Sequence, residues 1–103
     1  MDRIIFLVDS VGSTGAGSSV RSKPVDKTFQ AYGSTTSGSG SATIDIEVSN
    51  NNINWIVAGT ITLTLGTTET SDGFAVRASW IYARANVTAI SGTGAKVSAV
   101  MAL

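Results

Sequence analysis

The chain has 103 residues, enough for one domain with a single modest hydrophobic core. Seven basic and seven acidic residues cancel, and no basic stripe is present to neutralise phosphates, so nucleic-acid binding is not expected. The absence of Cys and His excludes a disulfide framework, thiolate metal sites and the usual nucleophile–base triads. We therefore expect no enzymatic activity, no cofactor and no metal site.

The surface is expected to be polar but weakly charged. Charged residues make up 14% of the chain, against about 25% in an average globular protein, whereas Ser, Thr and Gly together account for 38 residues. Low charge is typical of surfaces that are buried against other proteins, although a soluble β protein with a Ser/Thr face would have the same composition. The apolar run at 4–8 is too short for a signal-peptide core, and no stretch is long enough to span a membrane. We therefore expect neither signal-directed secretion nor membrane association.

Short alternating runs between Gly-rich and Asn-rich segments predict about eight short strands and no helix. In chain order the predicted strands span 2–9, 27–32, 41–49, 53–58, 60–65, 74–78, 79–90 and 95–103. The three asparagines at 50–52 predict a hairpin turn, Gly59 a bend or bulge, and 66–73 a loop. The predicted fold class is all-β: a two-sheet antiparallel sandwich, either jelly-roll-like or immunoglobulin-like, with the strand order left open.

The chain divides into an N-terminal part, 1–24, and a sandwich domain, 25–103. The first part combines the opening strand with a Gly/Ser-rich segment at 10–19, which has the composition of a flexible linker. Two interpretations of this segment remain open. It either lies along its own domain as a loop, or forms an arm that docks on a neighbouring subunit.

Candidate ligand-binding residues are few. Asp45 and Glu47 share one strand face, which favours a solvated face over a catalytic pair. The oxygens of Glu69, Ser71 and Asp72 could ligate calcium, but three oxygens in a loop are weak evidence for a metal, and an ordinary turn is favoured. A second hypothesis is a sugar-binding platform, and its candidate residues are the aromatic side chains Trp55, Trp80 and Tyr82. These aromatics could instead belong to a packed strand face.

Three segments carry a resemblance to known proteins: V-S-N-N-N-I-N-W at 48–55, G-T-I-T-L-T at 59–64 and W-I-Y-A-R-A-N-V-T-A-I-S-G-T-G at 80–94. Together they cover about the C-terminal half of the chain and resemble a module of small structural proteins of tailed bacteriophages. The elements S-N-x-x-x-N-W and W-x-Y-x-R-x-N-V-T are also similar to paired strands of discoidin-type, galactose-binding jelly rolls.

The phage resemblance implies a virion structural protein, and within that class a capsid decoration (cement) protein. Its implied partners are the major capsid protein and copies of itself, and its implied location is the virion, assembled in the host cytoplasm. The second likeness implies a carbohydrate-binding or host-receptor-binding module of a tail or head fibre. The candidate interface residues are taken from the N-terminal part and the 66–73 loop, namely Ile4, Ile5, Phe6, Val11, Val20, Arg21, Glu69 and Asp72.

Overall fold

A computed structural model describes residues 4–76 and 80–102, which form nine strands and no helix. The predicted strand ends at 2–3, 77–79 and 103 lie outside the described residues. The strands are β1 (Ile4–Val11), β2 (Gly15–Ala16), β3 (Val20–Arg21), β4 (Lys27–Ser34), β5 (Ser37–Ser49), β6 (Ile56–Leu65), β7 (Thr70–Val76), β8 (Tyr82–Thr93) and β9 (Lys96–Ala102). The all-β prediction is confirmed.

The strands form two antiparallel sheets packed face to face. Sheet A has the order β1-β9-β4-β7, and sheet B has the order β2-β8-β5-β6, with β3 also paired to β8. If β2 and β3 are counted as one interrupted strand, the pairs are nested: first with last, second with second-last, and so on inward to the β5–β6 hairpin. This nesting is the jelly-roll arrangement, which decides between the two predicted sandwich types.

The core lies between the sheets and follows the alternation in the sequence. From sheet B, the inward positions of β5, β6 and β8 are at most 3% exposed: Ala42, Ile44, Ile46, Val48, Ile61, Leu63, Leu65, Ala83, Ala85 and Val87. From sheet A, Phe29, Val97 and Met101 pack against them and are equally well buried. Ala83 and Ala85 of β8 are completely buried, and their small size permits close packing of the layers.

The β5–β6 connection differs from the prediction. The return strand begins at Ile56, not at Ile53, because side chains of the turn hold the intervening backbone. Ser49 Oγ accepts the N–H groups of Asn51 and Asn52, and Asn51 Oδ1 accepts those of Ile53 and Asn54, at 2.9–3.2 Å. A bulge near Gly59 confirms the predicted irregularity, but β6 continues through it, so the strands predicted at 53–58 and 60–65 are one strand.

Strand β8 contains a bulge that the alternation does not indicate. Ile44 pairs with Val87, but the preceding Thr43 pairs with Ala89, so β8 has one extra residue. Beyond one extra residue, the alternation of side chains between the two faces of a strand is reversed. Ala89, predicted to face the core, is exposed for this reason, and Ile90 packs against the core in its place.

The predicted loop at 66–73 is shorter in the structure. Strand β7 begins at Thr70 and includes Asp72 and Gly73, which pair with β4. The backbones of β4 and β7 approach closely here, since a Cβ atom on Gly73 would collide with the carbonyl oxygen of Phe29. Gly73 therefore permits close strand pairing, where the sequence suggested a turn.

The Gly/Ser-rich segment lies along its own domain, the first of its two interpretations. Strands β2 and β3 pair with β8, the Gly17 N–H donates to the Ala85 carbonyl, and the Ser22 N–H donates to the Ile81 carbonyl, both at 2.8 Å. In the same N-terminal part, β1 supplies an edge strand of sheet A. The described residues of the predicted 1–24 segment therefore contribute to both sheets of the sandwich.

Candidate interaction surfaces

The outer surface of sheet A carries an uncharged face. Strand register aligns its residues in two rows that cross all four strands: Ile4, Ala102, Thr28 and Ala75, then Phe6, Val100, Gln30 and Gly73. We call these eight residues the uncharged face. Ile4 is 70% exposed and Phe6 is 50% exposed, and a shallow groove of about 390 Å³ runs beside them over Gly73, with Asp72 at its rim. Besides Asp72, the charged residues Asp9 and Lys96 lie on strands of this sheet, nearer its other end.

The outer surface of sheet B has a different character, because Thr, Ser and charged side chains dominate it. Thr60 Oγ1 donates to Asp45 Oδ1 at 2.8 Å, and the hydroxyls of Ser41 and Ser91 lie 3.2 Å apart. Arg84 Nε donates to Glu47 Oε1 at 2.6 Å. Both carboxylates of β5 are thus paired with neighbouring strands. This surface interacts well with water, whereas the uncharged face leaves apolar side chains exposed.

The predicted sugar platform is divided between two environments. The guanidinium carbon of Arg84 lies 4.2 Å from the ring centroid of Trp55, so a cation–π contact covers one face of this indole. Tyr82 is half-buried on the same sheet. It lies two residues before Arg84 on β8 and pairs with Ser49. Trp80 packs against the hydrophobic core. The structure therefore brings Trp55 and Tyr82 to one region and gives Trp80 a packing role.

Exposed apolar side chains concentrate toward one end of the sandwich. The strands run along its longest dimension of 40 Å, since the 13-residue β5 would extend about 43 Å at full strand rise. At one end lie the turn before β4, the β5–β6 turn and the start of β1, which we call the apolar end. The large apolar residues more than 40% exposed, among those described, all lie at this end or within two residue pairs of it: Ile4, Phe6, Val25, Ile53, Ile56 and Val57.

The opposite end is built from small polar residues. Its connections include 35–36, 66–69 and 94–95, and the Thr35 and Thr36 N–H groups donate to the carbonyls of Gly66 and Thr93 at 2.8 and 3.0 Å. Thr36 Oγ1 also donates to the Thr93 carbonyl at 3.0 Å. We call this the polar end. The contrast between the ends was missed from the sequence, because it appears only when the topology assembles separate turns.

The predicted interface residues occupy three places. Ile4 and Phe6 point outward from β1, whereas Ile5 and Val11 pack partly against the core. Val20 also packs against the core, and Arg21 is exposed beside Tyr82 on the sheet B edge. Glu69 is exposed at the polar end, and Asp72 accepts the Gly73 N–H at 2.8 Å. Of this set, the structure brings Ile4 and Asp72 together, at the groove of the uncharged face.

Among the residues that the structure describes, Lys27 is the ionisable residue whose side chain is buried. Lys27, only 2% exposed, donates through Nζ to the carbonyls of Lys23 and Val25 at 3.0 and 2.8 Å, and so closes the turn around Pro24 at the apolar end. Burial lowers the pKa of Lys27 below its ordinary value of 10.5, and the negative charge of Asp26 partly opposes this shift. These contacts give the lysine a structural role in the turn.

Residues 4–76 and 80–102 contain no group of three or more acidic, His or Cys side chains placed to hold a metal ion. No helix in this part of the chain has the length and apolar character needed to cross a membrane. Comparison with protein-family models, curated proteins and solved structures finds no match to the chain. The surfaces described above are therefore the basis for a functional proposal.

Proposed function

We propose that this chain is a non-enzymatic structural protein of a phage virion, and that it acts as a capsid decoration protein which bridges major capsid proteins. The observation that carries the proposal is the concentration of exposed apolar side chains toward the apolar end. Ile53, the most exposed of them at 77%, projects from the β5–β6 turn. In this arrangement the apolar end binds the shell and the polar end points outward.

The size of the apolar end supports attachment at many repeated sites. The two shorter dimensions of the molecule are 28 and 17 Å, which gives an end of about 480 Å², smaller than the roughly 800 Å² per partner of a standard interface. A single contact of this size is weak. A shell offers many equivalent sites, and self-association of the bound copies raises the effective affinity without new shell contacts. The low share of charged residues, 14% of the chain, suits such burial because few ions need to be desolvated.

The alternative is a carbohydrate-binding or receptor-binding module of a tail or head fibre. Jelly rolls occur in both viral capsid proteins and lectins, so the fold alone does not discriminate between the two functions. The half-buried Trp55 and Tyr82 favour this alternative, whereas the guanidinium on Trp55 and the packing of Trp80 disfavour it. Trp55 lies in the β5–β6 turn at the apolar end, but its exposed neighbours Ile53, Ile56 and Val57 are aliphatic and offer no ring to stack on a sugar, and for this reason we favour decoration.

The test is cosedimentation with purified capsids of a tailed phage that encodes the chain. Ile53→Asp places a charge at the apolar end, and Thr67→Asp makes a matched change at an exposed position of the polar end. We expect the parent chain and Thr67→Asp to cosediment with capsids, and Ile53→Asp to bind at least about tenfold more weakly, since a buried unpaired charge costs several kcal/mol. Equal binding of both variants, or no binding of the parent, would overturn the proposal. Glycan binding that Trp55→Ala abolishes would support the alternative.

A further inference from the structure

We propose that two copies of the chain pack face to face through the uncharged face, about a two-fold axis that runs parallel to the strands between β9 and β4. This inference deepens the self-association that forms part of the proposed function and names its surface. The inference concerns the isolated chain. Dimerisation can therefore fail while the chain still binds the shell, and shell binding can fail while the chain still dimerises.

The first argument is shape. The uncharged face is raised along β1, where Ile4 and Phe6 project, and low along β7, where Gly73 has no side chain and Ala75 a small one. Phe6 and Gly73 lie in the same row at opposite edges of the four-stranded sheet. Rotation about a two-fold axis parallel to the strands leaves each row at the same height along the strands. It places β1 of one copy over β7 of the other. It therefore places Phe6 of each copy over the Gly73 groove of the other, and Ile4 over Ala75.

The second argument is charge. None of the eight residues of the uncharged face is ionisable, so their burial requires no desolvation of a charged side chain. Farther along the sheet, the same axis sets Lys96 opposite Ser34 of the second copy, because these two residues are register partners within one sheet. Asp9, in the bulge of β1, falls toward Ser71 of β7. Lys96 therefore faces an uncharged residue, whereas Asp9 of each copy approaches Asp72, the exposed neighbour of Ser71 on β7, so two carboxylates come near each other at that edge of the pairing.

The third argument is size. Four strands at about 4.8 Å spacing and 7–8 residues at about 3.3 Å rise give the whole outer surface of sheet A an area of roughly 480 Å² per copy, of which the uncharged face occupies about half. Two copies that pack over this whole surface bury about 1,000 Å², the lower limit for a specific interface. Sheets packed in this way lie about 10 Å apart, with strand directions within about 30° of each other. A modest interface of this kind favours a weak dimer with a Kd on the order of micromolar, which forms in concentrated solution and also when copies are concentrated on a surface.

The experiment is sedimentation equilibrium of the full chain up to about 200 µM, a range in which a dimer with a micromolar Kd is fully populated. Gln30→Lys places a charge at the centre of the uncharged face, and Thr62→Lys makes the matched change at an exposed position on the outer surface of sheet B. We expect the parent and Thr62→Lys to dimerise, and Phe6→Ser and Gln30→Lys to raise the Kd at least about tenfold. A monomeric parent chain, or dimers unaffected by Phe6→Ser and Gln30→Lys, would overturn the inference.

Cross-linking tests the symmetry separately. The chain has no native Cys, so Ile4→Cys and Ala75→Cys each create a single thiol. A bis-maleimide that spans about 10 Å matches the separation of packed sheets, which a disulfide cannot bridge. We expect cross-linked dimers when the two variants are mixed and none from either variant alone. Cross-linking of Ile4→Cys to itself would place β1 over β1 and contradict the proposed axis.

Discussion

Among single side chains, Lys27 combines burial with a positive charge and satisfies that charge locally. Its ammonium group has three donors, and two of them close the 23–26 turn through backbone carbonyls. Because burial lowers its pKa below 10.5, the folded chain holds this proton less tightly than the unfolded chain does. The unfolding free energy therefore has a component that rises with pH between the lowered pKa and 10.5.

Replacement of the lysine should remove that component. We expect Lys27→Met to lower the unfolding free energy at pH 7 by about 1 kcal/mol, since two turn carbonyls lose a donor while a buried charge is also removed. As pH rises from neutral toward 10.5, the parent chain should gain stability relative to Lys27→Met. Urea unfolding of both chains across this range measures the difference. A constant difference across the range would contradict the assigned shift.

Among the strands, β6 depends on a glycine at its bulge. A Cβ atom on Gly59 would lie 2.5 Å from Cζ of Phe74, whose ring packs on Phe29 with centroids 5.6 Å apart. The absence of a side chain at this position thus gives space to the aromatic pair that joins β4 to β7. Gly66, just beyond the end of the same strand, has no atoms within 4 Å of a corresponding Cβ.

The two glycines form a matched pair for a test of this packing. We expect Gly59→Ala to lower the unfolding free energy by about 1–3 kcal/mol through overpacking against the Phe74 ring. Gly66→Ala should change it by no more than about 0.5 kcal/mol, because the position is open and its backbone needs no left-handed conformation. Thermal or urea unfolding measures both values. Equal effects would show that Phe74 moves aside without cost.

The strands also show what the sequence alone could predict. Alternation identified the inward residues of β5 and β6, because a half-buried strand has one apolar face. It failed at Ala89, where a bulge exchanges the faces, since the bulge depends on the pairing partner and leaves no local pattern. The Gly/Ser-rich segment at 10–19 has the composition of a flexible linker, but β2 within it is held by pairing with β8. Tertiary hydrogen bonds therefore override composition there.

The candidate surfaces were less predictable than the strands. Exposure of Ile4 and Phe6 depends on which side of β1 faces the core, and a short apolar run does not settle that. Leu7 and Val8, the next two residues, are both buried because a bulge lies between Phe6 and Val8. The apolar end collects residues from turns that are distant in the chain. Only the jelly-roll connectivity brings them together.

Across the sandwich as a unit, the N-terminal part is integral to the fold. Strand β1 covers one edge of the core with Leu7 and Val8, which are 4% and 8% exposed, and β2 and β3 complete the edge of sheet B. We expect deletion of residues 1–24 to lower the unfolding free energy by at least about 3 kcal/mol, from the burial of these two side chains alone. The measurement is the urea midpoint together with its slope.

Substitutions at two adjacent positions of β1 separate the effect of lost side-chain burial from the effect of deleting the segment. Leu7→Ala should lower the unfolding free energy by about 2–5 kcal/mol, whereas Phe6→Ala, at a half-exposed position, should have a much smaller effect. A truncated chain that unfolds at the same urea concentration as the parent would show that 1–24 is a dispensable tether.

The two irregularities of β1 affect how copies of the chain can associate when they are close together. This strand forms one border of sheet A in the described structure, and regular pairing with β9 is interrupted after Phe6 and again after Val8. An edge strand that pairs regularly over only three residues is a poor template for an incoming strand. Edge-to-edge growth of the sheet into a fibril is therefore opposed at β1. Copies can thus accumulate at high local density and still form finite complexes.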